Sequence, residues 1–340
     1  MRCELNTTEA IEVAILCSIL LVSCTKKMPT SLPTNQRPWS YKASMNEARC
    51  GHSTIALNGK IFAIGGYVPY GFRRTVEVYD PIQNAWHDST LMNYERGDFA
   101  AAEVNGKIYV FGGCDNSGNP QNTVEEFNGS KWNLKASMTT YRMDHAASSV
   151  NGKIYVIGGF DNSEYLSTVE EYNPEADTLG GTPWSLKTPM PTPRSCLQAI
   201  ALNGIIYAIG GMKYDISIPG YRHYSIVEAY DPVTNSWSVK TSMPYACYNC
   251  ASAVLNSGIY VIGGRVGDNG DSCTVIEYNP LSNIWSYSTP MLTKRSDLAA
   301  AALNGKIYAC GGAHYDSTYP YNGGWIYYTW VEMYDPSVLK

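Results

Sequence analysis

Phenylalanine is scarce in this chain of 340 residues: there are 6, against 27 tyrosines. Rings that mostly carry a hydroxyl suit half-wet surfaces better than a dry core. Charge is thin as well, since Asp, Glu, Lys and Arg make up 16% of the residues and the formal net charge is -5. No polybasic run or basic stripe occurs, so the electrostatic footprint of a nucleic-acid binder is missing. Histidines number 5, and His52, His87, His145, His223 and His314 share no metal-ligand spacing. No metal site and no cofactor are expected. Past residue 40 the cysteines are Cys50, Cys114, Cys196, Cys247, Cys250, Cys273 and Cys310, an odd and irregularly spaced set that is not a disulfide framework. Cys247 and Cys250 form a CxxC with no second pair to complete a zinc site, and read as buried small apolar residues.

Long apolar runs are also lacking. The run VAILCSILLVS, from Val13 to Ser23, is too short for a mature membrane span and matches the core of a signal peptide. It ends in LVSC, Leu21 to Cys24, which resembles a bacterial lipobox and makes Cys24 the expected lipidation site. The organisation read from this is a signal segment at 1–24, a tether at 25–36 and a folded domain at 37–340. A lipid-anchored or secreted protein of the cell envelope is the expectation, with the membrane touched only through that anchor. Glu4, Glu9 and Glu12 make the leading segment acidic, unlike an export signal, so a cytoplasmic protein stays as the alternative.

What the chain has in abundance is repetition. VNGKIYVFGG, Val104 to Gly113, returns as LNGKIFAIGG, VNGKIYVIGG, LNGIIYAIGG, LNSGIYVIGG and LNGKIYACGG. Glycine doublets begin at Gly65, Gly112, Gly158, Gly210, Gly263 and Gly311, and Trp39, Trp86, Trp132, Trp184, Trp237 and Trp285 recur in step. A period of roughly 50 residues directs attention to propellers. Each unit reads as four short strands, with Asn-Gly in most first turns supplying the two positive φ values of a type I′ hairpin. Trp39 precedes every doublet and the last unit ends without a tryptophan strand, so the N-terminal segment is expected to complete the last blade. Such closure removes exposed sheet edges.

The doublets, the VExYDP strand, the tryptophan and stretches such as MPTPR, 190–194, resemble kelch repeats. The resemblance implies an all-β, six-bladed β-propeller of kelch type, with four antiparallel strands per blade, closed by the N-terminal strand.

Internal comparison separates frame from site. Arg49, Arg96, Arg142, Arg194 and Arg295 hold equivalent positions before the doublets, and each unit carrying one also carries a third-strand glutamate: Glu77, Glu125, Glu170, Glu228 or Glu332. The fifth unit has Cys247 and Ile276 instead, losing both charges together. A buried charge without its partner costs several kcal/mol, so five intra-blade ion pairs are expected and none in blade five. His52 and His145 stand where other units have Phe99, Leu197 and Leu298, and read as core.

Length variation collects in the loops after the doublets, and loops on a rigid frame are where binding residues gather. The longest are in blades four and six and carry Tyr214, Tyr224, Tyr315, Tyr319, Tyr321 and Trp325. Two positions after each frame arginine, where the resemblance puts polar contacts at the channel rim, stand Gly51, Asp98, Asp144, Cys196, Asn249 and Asp297. Asp98, Asp144, Asn249 and Asp297 are read as a negative rim favouring cations, amines or polyols. No arginine is found at these rim positions, which counts against an acidic partner. The 173–184 loop on the other face reads as plain linker.

The function expected is a non-catalytic, monomeric interaction module that binds a carbohydrate or a protein through an aromatic, acidic top face. One alternative is an exported sugar mutarotase similar to N-acetylneuraminate epimerase, with Asp98, Asp144, Asp297 and His314 as acid and base candidates. The other is an intracellular kelch adaptor for protein–protein interaction. Copper chemistry of the kind implied by a resemblance to galactose oxidase finds no histidine set here.

Overall fold

A computed structural model describes residues 37–339, apart from 69, 179, 219 and 319–323. The segment expected to hold the signal, Cys24 and the tether lies outside the described residues, as do Tyr319 and Tyr321. The fold is all-β, with six four-stranded antiparallel sheets arranged as the blades of a propeller. Blade one runs Ser53–Leu57, Lys60–Ile64, Val76–Asp80 and Ala85–Asp88. Blades two to five repeat that order. Blade six takes Ala299–Leu303, Lys306–Cys310 and Val331–Tyr334 from the C-terminal end and Trp39–Lys42 from the N-terminal end. Trp39 faces Tyr334 and Lys42 faces Val331, so the expected closure is present.

The repeat residues make the ring in two ways. The second strands place Ile61, Ile108, Ile154, Ile206, Ile259 and Ile307 at 0% exposure, between neighbouring sheets. Each such side chain contributes about 1.5–3 kcal/mol relative to an exposed one. The tryptophans then tie each outer strand to the blade before it. Trp86 Nε1 donates to Ala43 O at 2.9 Å, Trp132 to Thr90 O at 2.9 Å, and Trp39 to Thr289 O at 2.8 Å. Trp39 thus bonds blade five as the other tryptophans bond their predecessors.

All five expected ion pairs form, at 2.6–2.8 Å and with the arginines at most 1% exposed. In blade five Cys247 and Ile276 are fully buried, and Cys247 Sγ takes up the Gly263 carbonyl at 3.5 Å. The first turns hold Asn at φ near 50° and Gly near 75°, and in blade five Ser257 replaces that glycine at φ 66°.

The 173–184 loop is not a plain linker. It contains a helix, Pro174–Thr178, and Asp177 accepts from the Tyr172 hydroxyl and from Ala136 N. Asn84, Asn235 and Asn283 make the same pair of bonds in other blades, so Asp177 performs a frame function from a longer loop. Asp177 lies five residues after Tyr172, the spacing of Asn84 from Tyr79, but it is an aspartate where those blades have asparagine.

Candidate functional site

Backbone pairing places the variable loops on one face. The residue after each doublet pairs with the stretch leading into a first strand: Cys50 with Tyr67, Ser195 with Met212, Tyr248 with Arg265, Ser296 with Ala313. Below these pairs the channel narrows to a closed circle of six hydrogen bonds. Gly51 N donates to Asp297 O, Asp98 N to Gly51 O, Asp144 N to Asp98 O, Cys196 N to Asp144 O, Asn249 N to Cys196 O and Asp297 N to Asn249 O, all within 2.8–3.2 Å. All six residues have φ of 50–55°, the left-handed region that Gly, Asn and Asp enter most readily. Backbone geometry therefore accounts for much of the rim's composition.

The carboxyls of this circle are buried, and burial moves all three upward. Burial pushes Asp144 up to about 6 and Asp297 up to about 7. Burial, with the charges of Asp144 and Asp297 added, holds Asp98 well above the carboxylate range. Removing three like charges from water favours their protonated forms. Their side chains bond locally: Asp297 accepts from Asn249 Nδ2 and from Ser296 Oγ, and Asp98 accepts from the Cys114 thiol. The four rim residues together line a cavity of about 90 Å³.

A larger recess opens beside the circle, where blades five, six and one meet. It encloses about 240 Å³ and is lined by Tyr67, Asn249, Arg265, Asp297, Trp325 and Tyr327, with Cys50 and Ala313. The six rim positions hold no arginine, but Arg265 stands beside them in the recess. It follows the Gly263–Gly264 doublet, at the position held elsewhere by Tyr67, Cys114, Phe160, Met212 and Ala313. Its guanidinium lies over two rings, 5.9 Å from the Tyr248 centroid and 5.4 Å from that of Trp325. Stacking of this kind orients a guanidinium without consuming its N–H groups.

The row continues in both directions. His223, from the blade-four hairpin Met212–Asp215 and Gly220–His223, stacks on Tyr248 at 4.7 Å with planes 5° apart. Trp325, from the blade-six hairpin Ala313–Asp316 and Gly324–Tyr327, packs edge-on against Tyr315 at 5.6 Å. The long loops of blades four and six thus meet across Arg265. Tyr315 and Trp325 remain 42% and 38% exposed, leaving ring surface for a ligand.

Of the residues expected at the site, Asn249, Asp297 and Trp325 line the recess, and Tyr315 packs on Trp325 outside it. Asp98 and Asp144 sit in the narrower circle. Tyr214 packs against Tyr221 at 5.5 Å on the blade-four hairpin, and Tyr224 holds the hairpin's base through backbone bonds to Gly211 and Cys247. Neither lines the recess. His314 is paired with Asp271, Nδ1 to Oδ2 2.8 Å. Sequence reading missed Arg265, Tyr248, His223 and Asp271. An available signal for Arg265 was a lone charge at a post-doublet position that is otherwise uncharged. Among the described residues no cluster of His, Cys, Asp and Glu is arranged to hold a metal.

Fold and recess together define a kelch-type propeller with an aromatic and cationic mouth. Residues 51–243 match the KLHDC2/KLHL20/DRC7 Kelch-repeats domain, and residues 246–292 match the Kelch motif. The chain belongs to the kelch-repeat family. Kelch-like protein 35 of Mus musculus is 28% identical over 238 residues, which cover 70% of this chain and 31% of that protein. Kelch repeat and BTB domain-containing protein 12 of Homo sapiens is 34% identical over 107 residues, 30% of this chain and 16% of that protein. Kelch-like protein 23 of Homo sapiens is 29% identical over 213 residues, 61% of this chain and 36% of that protein. The matched region thus spans a third or less of the first two relatives. Homology to these kelch-like proteins supports a binding module.

Proposed function

We propose that this propeller is a non-catalytic protein-binding module that grips a carboxylate-bearing segment of its partner at Arg265. The observation that carries this reading is the stacked guanidinium. Its centre lies 5.9 Å from the Tyr248 ring centroid and 5.4 Å from that of Trp325, while its side chain keeps 30% exposure. A guanidinium offers its N–H groups as a planar fork, which favours a planar carboxylate over a sugar hydroxyl. Trp325, Tyr315 and Tyr327 supply flat apolar area with polar edges, the composition of interface anchors.

Peptide-display selection against the wild-type chain, run beside a glycan array, tests this. Peptides enriched in Asp, Glu or a free C-terminus are expected, with affinity falling about tenfold or more in Arg265→Gln and in Trp325→Ala. Glycan binding without peptide selection would move the reading to a lectin. Mutarotation of a free sugar would move it to the enzyme alternative.

A further inference from the structure

Asp271 is the most buried charge at the mouth. Its side chain is 1% exposed, yet Oδ1 has no hydrogen bond among the described residues. That oxygen stands 3.5 Å from Arg265 Nε, which is likewise unbonded. Arg265 and Asp271 face each other across a tight loop whose short helix is Gly267–Asn269, so their separation is set by backbone. The other oxygen, Oδ2, accepts from Tyr315 N at 2.9 Å and meets His314 Nδ1 at 2.8 Å. One carboxylate therefore joins the arginine of blade five to the hairpin of blade six. Its charge is divided between a permanent cation and an imidazole, the side chain that titrates nearest neutral pH.

We propose that Asp271 and His314 are positioning residues that set how much of Arg265's charge is offered to a ligand, so that a carboxylate-bearing partner is held more tightly when His314 is protonated. The inference rests on Arg265 being the anchor. With His314 neutral, its Nδ1–H satisfies one Asp271 oxygen and the carboxylate's charge is directed at Arg265. A proton on Nε2 makes His314 an imidazolium, which takes a larger share of that charge. The guanidinium is then less compensated and turns more readily to an incoming carboxylate.

The surrounding charges set the controls. His314 faces Asp271 from blade five and Asp316 from its own hairpin, with Lys294 beyond Asp316. Asp271 also faces the hydroxyls of Tyr248 and Tyr328. Asp297 feels both Arg265 and Asp271, and gains a proton on acidification, which acts in the same direction as His314. His223 is a second imidazole, stacked behind Tyr248.

The probe is fluorescein-labelled hexaglutamate, with hexaglutamine as its uncharged control, followed by anisotropy between about pH 5.5 and 8. Wild type is expected to bind about fivefold or more tightly at the acid end. His314→Gln should lose most of that ratio, while His223→Gln and Asp297→Asn keep the part due to His314. An unchanged ratio in His314→Gln overturns the proposal. Coupling is read without ligand from the His314 imidazole proton resonance. Its midpoint should rise by about half a unit or more in Arg265→Gln, where Asp271's charge is no longer shared, and fall in Asp271→Asn. An identical midpoint in Arg265→Gln also overturns it. Failure of wild type to bind hexaglutamate at any pH would instead sink the reading of Arg265 as anchor, and the midpoints would still decide the coupling.

Discussion

Arg96 holds its Nη2 2.8 Å from Glu125 Oε1, with neither side chain more than 1% exposed. The arginine also donates to Gly112 O at 2.7 Å, and Glu125 Oε2 accepts from Asn93 N at 2.7 Å. The pair therefore fastens the loop that enters the first strand to the second and third strands. In blade five Cys247 and Ile276 replace the pair, and Pro244, at the position of Asn93, has no N–H to satisfy. The two charges changed together, as the cost of an orphaned buried charge requires, whereas proline at the Asn93 position is compatible with the pair, since blade four has Pro191 there and keeps Arg194 on Glu228.

Arg96→Ala should accordingly destabilise the chain by about 3–5 kcal/mol, because Glu125 is left buried and unpaired. The triple change Arg96→Cys, Glu125→Ile and Asn93→Pro, which copies blade five, should cost clearly less. Urea midpoints measure both. Equal losses would refute the pairing as the reason for the pattern.

The doublet glycines make a sharper contrast than their repetition implies. A Cβ on Gly113, at φ 89°, would stand 2.5 Å from Gly97 O, whereas one on Gly106, at φ 75°, would meet nothing within 4 Å. Gly106→Ala should cost only the left-handed strain, about 1–2 kcal/mol. Gly113→Ala adds a backbone collision and should cost at least about twice as much, read as a lower thermal midpoint.

Repetition made the frame readable. Six copies of one unit expose which positions never vary, and the offset between Trp39 and the first doublet fixed the closing strand, now seen in its pairing with Val331–Tyr334. The site is built from positions that differ between copies, where comparison has nothing to average. Asp98, Asp144 and Asp297 read as ligand groups because the sequence shows their charge and not their φ of about 54°. Arg265 escapes a reading built on the positions two after the frame arginines, because the recess is also lined from the position after the doublet, as by Tyr67, Arg265 and Ala313. Asp177 was missed because it is an aspartate where blades one, four and five have asparagine, and because the insertion that follows it separates it from Trp184.

His52 offers a test of burial acting on charge. It is 6% exposed, neither ring nitrogen has a hydrogen bond among the described residues, and burial, with Arg49 and Arg295 nearby, lowers its pKa to about 3. The unfolded chain takes up that proton near 6.5, the folded chain does not, so this group's contribution is full above 6.5 and is lost as pH falls below it. His52→Leu, which copies Leu197 and Leu298, should therefore gain about 1–2 kcal/mol relative to wild type at pH 5 over its effect at pH 8. A pH-independent difference would show that the imidazole is not the source.

Asp297 should behave with the opposite sign. Burial raises its pKa from 3.8 to about 7 in the fold, so the native state binds a proton that the unfolded chain has released across that interval. The stability this proton contributes is present in full below the unfolded value and is lost as pH rises through 7. Asp297→Asn keeps one acceptor oxygen, for Asn249, places an NH2 toward the Ser296 hydroxyl, which can accept from it, and never ionises. Its stability relative to wild type should be greater at pH 8 than at pH 5, by on the order of 2–3 kcal/mol, with the remaining advantage disappearing only below the unfolded value. Thermal midpoints at the two pH values decide the matter, and a variant less stable than wild type at pH 8 would mean that the ionised carboxylate is favoured in the ring of six residues.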